Sequence, residues 1–271
     1  VSWVRLRGGI KCGACSKSDW CLVSDDGRSF LCMRVESKLP FALKDGSVGY
    51  IHRAGEHRVK PIEVKREVRR PTEDIQTLYY DALKDTQPAW QEALARKLGV
   101  TFTSIKAIGA AWSKKNQAWM FPMRDGHKQL VGIRLRSMTG EKWAVTGSKN
   151  ALFIPEDDYK GSTLFLFEGP TDTCSGVSLG LRCIGRPSCS AGLFDITTFV
   201  KREAVREVVV VADNDKPGLD GAEVLKRHLP VKSVTMTLPV KDMREFLKTG
   251  GSGTLLESMV KSMVWTMPCS S

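Results

Sequence analysis

Four apolar runs set the strongest limit on the fold: residues 163–167 (TLFLF), 181–184 (LRCI), 207–212 (EVVVVA) and 233–238 (SVTMTL). The segments between them are long enough for a crossover helix. Runs that are apolar at both alternating positions belong to strands covered on both faces, so they predict a mostly parallel sheet with helices on either side, an α/β core. A chain of 271 residues can bury such a core and still carry smaller modules. Its 42% hydrophobic and 26% charged residues exclude collagen, a coiled coil and wholesale disorder. No stretch reaches the roughly 18–20 apolar residues of a membrane span, and the N-terminus lacks a signal-peptide core. The expectation is a cytoplasmic protein with no membrane partner.

Acidic residues follow three of these runs. The first ends in Phe167-Glu168-Gly169-Pro170-Thr171-Asp172, the third in Asp213-Asn214-Asp215-Lys216-Pro217-Gly218, and the fourth in Pro239-Val240-Lys241-Asp242. Open parallel sheets place their sites at the carboxyl ends of strands. Gly169 leaves room for a ligand to approach. Asp213 and Asp215 can face one hard cation while a helix beginning near Pro217 offers backbone N–H groups; capping alone would need only one of them. Glu168, Asp213, Asp215 and Asp242 are thus expected at one edge, with Asp172 behind. Gathering so many acids is costly unless divalent cations neutralise them, which points to metal-dependent phosphoryl chemistry.

Eight cysteines without a secretory signal suit a reducing compartment, where clustered cysteine means metal more often than disulfide. Cys12, Cys15, Cys21 and Cys32 lie within 21 residues. The first two have zinc-knuckle spacing. With Asp26-Gly27 at a hairpin turn, Val23 faces Phe30, Leu22 faces Leu31 and Cys21 faces Cys32, so all four sulfurs can converge on one structural zinc. The alternative replaces Cys21 by His52 or His57. His127 and His228 read as ordinary residues, and Cys174, Cys183, Cys189 and Cys269 as small apolar ones.

Charge is uneven along the chain. Residues 1–70 hold 15 basic and 8 acidic side chains, a surplus of 7 within a net charge of +11. A cationic end of this kind is the footprint of nucleic-acid contact. The segmentation that follows is a zinc module at 1–58 with a strand at Val48 to Arg53, a basic linker at 59–71, and a mixed α+β subdomain at 72–160. A metal-binding domain at 161–252 and a C-terminal helix and tail at 253–271 complete it. Within 72–160 a helix carries Ile75, Leu78, Tyr79, Ala82 and Leu83 on one face, with Thr72 as its N-cap. A second helix runs from near Pro88 to Gly99, and strands follow at 117–123, 129–138 and 141–145. An amphipathic helix is expected over 253–265.

The order strand-Glu-Gly-x-x-Asp, strand-Asp-x-Asp, then Lys-Asp after a further strand resembles the TOPRIM domain. That domain is shared by DnaG-type primases, topoisomerases and some nucleases, and the likeness spans about residues 160–250. A four-cysteine module, a linker and a middle segment before TOPRIM are similar to the architecture of DnaG-type primases and of phage primase-helicases. Met120-Phe121-Pro122-Met123-Arg124-Asp125, then Leu130 to Arg136, then Glu141-Lys142-Trp143 are similar to the basic strand-rich subdomain of those primases. The resemblance implies a Rossmann-like TOPRIM core with a mixed α+β subdomain and a small N-terminal β module like a zinc ribbon. It implies a DNA primase that makes short RNA primers on single-stranded DNA from NTPs by two-metal-ion nucleotidyl transfer.

On that reading Glu168, Asp172, Asp213, Asp215 and Lys142 are catalytic, and Glu168, Asp213, Asp215 and Asp242 hold magnesium or manganese. Arg134, Arg136 and Lys241 bind nucleotide or template phosphates, and the zinc module, with Lys17, Trp20, Arg28 and Arg34, reads the template. Trp20 reads equally well as a packing residue of that module, and Arg134 and Arg136 as outward charges on a half-exposed sheet. No Gly-x4-Gly-Lys-Ser/Thr loop occurs, so a replicative helicase is expected as a separate chain or a missing C-terminal half. A bacterial cytosol or nucleoid is implied, with a phage origin equally compatible. Two alternatives remain: a TOPRIM nuclease using the same acids, and a RecR-like non-catalytic DNA-binding mediator.

Overall fold

The computed structural model describes residues 3–6, 10–17, 20–24, 26–43, 48–53, 55, 74–156, 163–189, 191–263 and 265. The chain divides into two compact units, Val1–Arg70 and Pro71–Ser271. Among the described residues, no helix is long and apolar enough to cross a membrane.

The first unit is an antiparallel sheet of β1 (Trp3–Arg5), β2 (Leu22–Ser24), β3 (Ser29–Cys32), β4 (Pro40–Ala42) and β5 (Val48–Arg53), in the order β1-β2-β3-β5-β4. The turn sets the register. Gly27 adopts φ 71° and its N–H donates to the Ser24 carbonyl at 2.9 Å, giving the pairs Leu22↔Leu31 and Val23↔Phe30 that the Asp-Gly signal predicted. Leu6, Val23 and Phe30 pack directly on the cysteines, and that cluster is the unit's core. The linker at 59–71 lies outside the described residues.

The second unit opens with α1 (Ile75–Asp85), α2 (Pro88–Leu98) and α3 (Phe102–Ala107). Asp74, not Thr72, caps α1, accepting from the Gln76 N–H at 3.0 Å; Thr72 itself lies outside the described residues. Pro88 begins α2 and Gly99 ends it, as expected. The short helix α3, capped by Thr101, was not anticipated, because six residues carry too few turns for a period to show.

β6 (Ala111–Ser113), β7 (Ala118–Arg124), β8 (Leu130–Ser137) and β9 (Lys142–Ala144) then form an antiparallel sheet in sequence order. Its two faces are covered differently. Met120, Ile133 and Leu135 pack with Tyr79 of α1, whereas Trp119, Phe121 and Met123 pack with Leu94, Leu98 and Ile105 of α2 and α3.

The parallel sheet follows: β10 (Thr163–Glu168), α4 (Gly169–Ser178), β11 (Cys183–Arg186), α5 (Leu193–Arg202), β12 (Glu207–Ala212), α6 (Lys216–His228), β13 (Lys232–Thr237), α7 (Met243–Lys248) and α8 (Gly253–Lys261). β11 begins two residues later than predicted. The helix expected over 253–265 stops at Lys261, and Ser262 caps it. The order is β11-β10-β12-β13, all parallel. Phe165, Phe167, Val209 and Val211 face one layer with α4, α7 and α8, while Leu164, Leu166, Val208 and Val210 face α5 and α6. This two-faced burial is why the runs read as continuously apolar.

Residues 152–153 join the two sheets. Leu152 exchanges backbone hydrogen bonds with Arg124 of β7, and Phe153 with Gly185 of β11, each at 2.8 Å. The bridge fixes the antiparallel sheet against the edge strand of the parallel one.

Candidate active site and metal centre

In the first unit the chain reversal at Cys12 to Lys17 and the β2–β3 hairpin deliver four thiols to one point. Their sulfur atoms all lie within 4.8 Å of one another. Cys15 Sγ is 3.6 Å from Cys21 Sγ, which is 3.8 Å from Cys32 Sγ. A tetrahedral zinc with four bonds of about 2.3 Å has sulfur–sulfur edges of about 3.8 Å, so the donor set fits zinc. Backbone N–H groups of Arg34 and Val35 donate to Cys32 Sγ at 3.4 and 3.3 Å, which favours the thiolate and orients it. Burial raises the Cys12 and Cys21 thiols, and the other cysteines' charges add to it. A cation in the middle reverses that penalty.

His52 is not part of this set, because its Nε2 is 3.0 Å from the Val35 carbonyl oxygen and bonded to it. His57 lies outside the described residues. Trp20, with φ 68° and 51% exposed, is a surface residue rather than a packing one. Cys174 and Cys183 are buried as expected; Cys189 is half-buried, and Cys269 lies outside the described residues.

In the second unit the chain passes from β10 to β11 on one side and then back across to β12 on the other. Strand order therefore reverses between β10 and β12, which opens a crevice at their carboxyl ends. Glu168 ends β10 there and Asp213 follows β12. Gly169 takes φ 77°, a left-handed turn that favours glycine, and empty space lies where a side chain would point.

The remaining acids have prior engagements. Asp215 caps α6, its Oδ1 accepting from Gly218 N–H at 2.8 Å. Asp242 caps α7, accepting from Glu245 N–H at 2.9 Å on Oδ1 and from the Arg244 guanidinium at 3.4 Å on Oδ2. Asp172, in the first turn of α4, is buried and accepts from the Arg244 backbone N–H at 3.2 Å. The Asn214 N–H donates to the Lys241 carbonyl at 3.1 Å and ties the β12 and β13 loops together.

Burial first, and mutual repulsion second, show in the acidities. Burial, then the Asp242 charge, pushes the Asp172 carboxyl up to about 7 against the pull of Arg244. Burial, then Glu168, Asp242 and Asp215, pushes Asp213 up to about 6. Burial raises Glu168 as well, opposed chiefly by Arg186. The acidic oxygens do not form a closed cage: among the described residues, only the four cysteines bring three or more donor atoms within 4.8 Å. Magnesium keeps several waters and uses one or two carboxylates, so an open, under-neutralised acidic edge suits its chemistry.

The basic strands meet this edge. Arg136 of β8 pairs with Lys142 of β9 and with Trp119 of β7. Arg134 lies two residues back on the same face, and its guanidinium reaches Asn150 Oδ1 at 3.2 Å. Both arginines are half-buried, on the sheet face that Trp119 and Phe121 present to α2 and α3, not outward on a bare sheet. The Lys142 charge acts on Glu168, and those of Arg136 and Asp172 act on each other. Lys241 is exposed, and its backbone N–H donates to Glu245 Oε2 at 2.9 Å.

Two arginines escaped the sequence reading. Arg186, at the end of β11 and in register with Glu168, is only 1% exposed; its Nη1 reaches the Cys189 carbonyl at 2.8 Å, while Nε and Nη2 have no partner. Arg244 sits between Asp172 and Asp242. A single arginine in each stretch has no spacing signature, so nothing local announces either role.

No protein-family model matches this sequence, and no curated protein matches it. Solved structures do. The catalytic core of the Escherichia coli primase superposes with a TM-score of 0.55 at 16% identity, over 72% of this chain and 79% of that one. A DnaG primase catalytic domain bound to single-stranded DNA gives 0.52 at 15%, over 69% and 79%. The zinc-binding and RNA polymerase domains of the Aquifex aeolicus primase give 0.56 at 13%, over 91% and 76%. What the second unit shares with them is a fold, an α/β core of TOPRIM type with a mixed α+β subdomain, and the first unit carries a four-cysteine cluster.

Proposed function

We propose that this chain is a primase-type nucleotidyltransferase that joins nucleotides on a single-stranded DNA template. The observation that supports it best is the position of Glu168 and Asp213 at the strand-order reversal, with the Lys142 charge of β9 acting on Glu168. Glu168 and Asp213 are the principal ligands for magnesium or manganese, with the Asp215 oxygen not used in capping as a third donor and Asp242 at the margin. Bound there, divalent cations supply charge neutralisation at the reacting phosphate and activation of the attacking 3′-hydroxyl.

The protein's own residues do the rest. Asp172, behind the edge, holds Arg244 and through it the α7 N-terminus. Lys142 and Arg136 bind phosphate oxygens of the incoming NTP or the template, with Arg134 and Lys241 extending the cationic surface. The zinc unit contributes template contacts through Trp20, Lys17, Arg28 and Arg34. A replicative helicase supplies the single-stranded DNA.

Incubation with single-stranded DNA, labelled NTPs and magnesium tests this. Short oligonucleotides from the parent, reduced about a thousandfold in Asp213→Asn and Glu168→Gln, are expected. Template degradation without new product would turn the reading to a nuclease. DNA binding with neither product nor degradation would leave a non-catalytic mediator.

A further inference from the structure

Beside the acidic edge lies a second feature, a cavity of about 170 Å³ lined by Leu94, Lys97 and Leu98 of α2, Trp119 of β7, Arg136 and the turn after β8 (Ser137 to Gly140), and Arg244 of α7. Three of its lining side chains are cationic and none is acidic. Its floor is apolar, from Leu94, Leu98 and Trp119. It is smaller than the roughly 300–1,000 Å³ that holds a whole organic ligand, so it suits one group of a larger molecule.

The cations there are crowded, and one of their buried donors is unsatisfied. Arg136 and Arg244 are close enough for their like charges to oppose each other, on top of the cost of burial. The Arg244 Nε is buried without a hydrogen-bond partner; its distance to Asp172 Oδ1, 3.8 Å, is an ion-pair contact too long for a hydrogen bond. The Lys97 ammonium donates to the Met138 carbonyl, which holds it over the cavity mouth while leaving its charge unneutralised by that contact. Asp172 and Asp242 offset the Arg244 charge but leave its buried Nε without an acceptor, which an anion oxygen in the cavity would supply. The Ser137 and Thr139 hydroxyls bond to each other at 2.7 Å at the rim, which leaves one O–H of the pair to donate.

We infer that the cavity formed by Lys97, Arg136 and Arg244 is a phosphate subsite, taking one phosphate group of a nucleotide or of a single-stranded DNA backbone. The subsite deepens the nucleotidyl-transfer reading by adding Lys97 and Arg244 to the groups that hold phosphate. Because Arg244 also pairs with Asp172 and Asp242, a phosphate seated there draws on the same guanidinium that steadies the acids. Occupancy of the subsite and the order of the catalytic edge are thereby linked.

The test is equilibrium binding by the full zinc-loaded chain, with no synthesis required. One arm titrates a fluorescein-labelled deoxythymidine oligonucleotide across a range of salt; the other titrates a fluorescent ATP analogue with magnesium and no DNA. The variants are Lys97→Gln, Thr139→Glu, which sets an acid at the mouth, and Lys84→Gln, an exposed lysine of α1, as control.

A backbone-phosphate subsite predicts that Lys97→Gln weakens oligonucleotide binding about fivefold and lowers the salt slope by about 0.7, with the nucleotide arm unchanged. A nucleotide subsite predicts the same loss in the nucleotide arm alone. Thr139→Glu should act in the same arm more strongly, and Lys84→Gln in neither. Both arms staying within twofold of the parent in both cavity variants, or weaker oligonucleotide binding with an unchanged slope, overturns the subsite. Primer synthesis bears on the functional reading alone, so the two can fail separately.

Discussion

The cysteine cluster and the acidic edge are two answers to the same problem, several anionic side chains gathered in a small space. In the first unit, sulfur atoms stand 3.6 and 3.8 Å apart, already at the edges of a zinc tetrahedron. In the second, the carboxylates come from the ends of separate strands and the turns and helix starts that follow them, two are occupied with capping helices, and two arginines are wedged among them. The difference is one of geometry: a closed set of soft ligands leaves no position to spare, whereas an open set of hard oxygens does. On the proposed reading the first unit depends on its metal for folding, while Arg186 and Arg244 partly neutralise the second.

That contrast can be broken most decisively at the zinc cluster. Chelation, or Cys21→Ser, should unfold the first unit outright, since metal binding of this kind contributes about 10–16 kcal/mol. The second unit should keep its helical circular dichroism. One zinc per chain by atomic absorption, falling to none in Cys21→Ser, checks it. An intact first unit after chelation would show that its apolar core suffices.

The next effect tests whether arginine stands in for a cation at the acidic edge. Arg186→Met removes a guanidinium that is 1% exposed and leaves Glu168 and Asp213 with less compensation. Urea unfolding without divalent metal should show a loss of about 3 kcal/mol, shrinking when magnesium is saturating. Equal losses in both conditions would mean that Arg186 serves packing alone.

The smallest effect concerns pH. Asp172 and Asp213 are raised from 3.8 to about 7 and about 6, so the native state binds more protons than the unfolded chain between those values. Stability of the metal-free protein should therefore fall as pH rises from about 4 to 7, by a melting-temperature decrease on the order of 5 °C from these groups. Asp172→Asn should flatten the slope, and magnesium should reduce it. A rise over the same window would place those carboxyls in a far more compensated setting.

How much of this was legible depended on range along the chain. The hairpin could be read because Asp26-Gly27 dictates a turn type and the turn dictates register, which in turn sets Cys21 opposite Cys32. The parallel sheet could be read because burial on both faces leaves an unbroken apolar run. Asp213 and Asp215 could be seen as a pair, yet which of them caps α6 is a matter of backbone geometry. The short elements α3 and β6 fell below the length at which any period declares itself. Arg186 and Arg244 were invisible, since each acts on a partner from another strand or helix: Glu168 lies 18 positions before Arg186, and Asp172 lies 72 before Arg244.

The sequence by itself determined the strands, the turn at the zinc cluster and the acids that end β10 and follow β12 and β13, because each is a local relation between neighbouring residues and the solvent. Only the tertiary structure decided which acids remain available, which arginines stand among them, and that a cationic cavity opens beside them. Those are balances of charge and burial among side chains from distant segments, and such balances exist only once the chain has closed on itself.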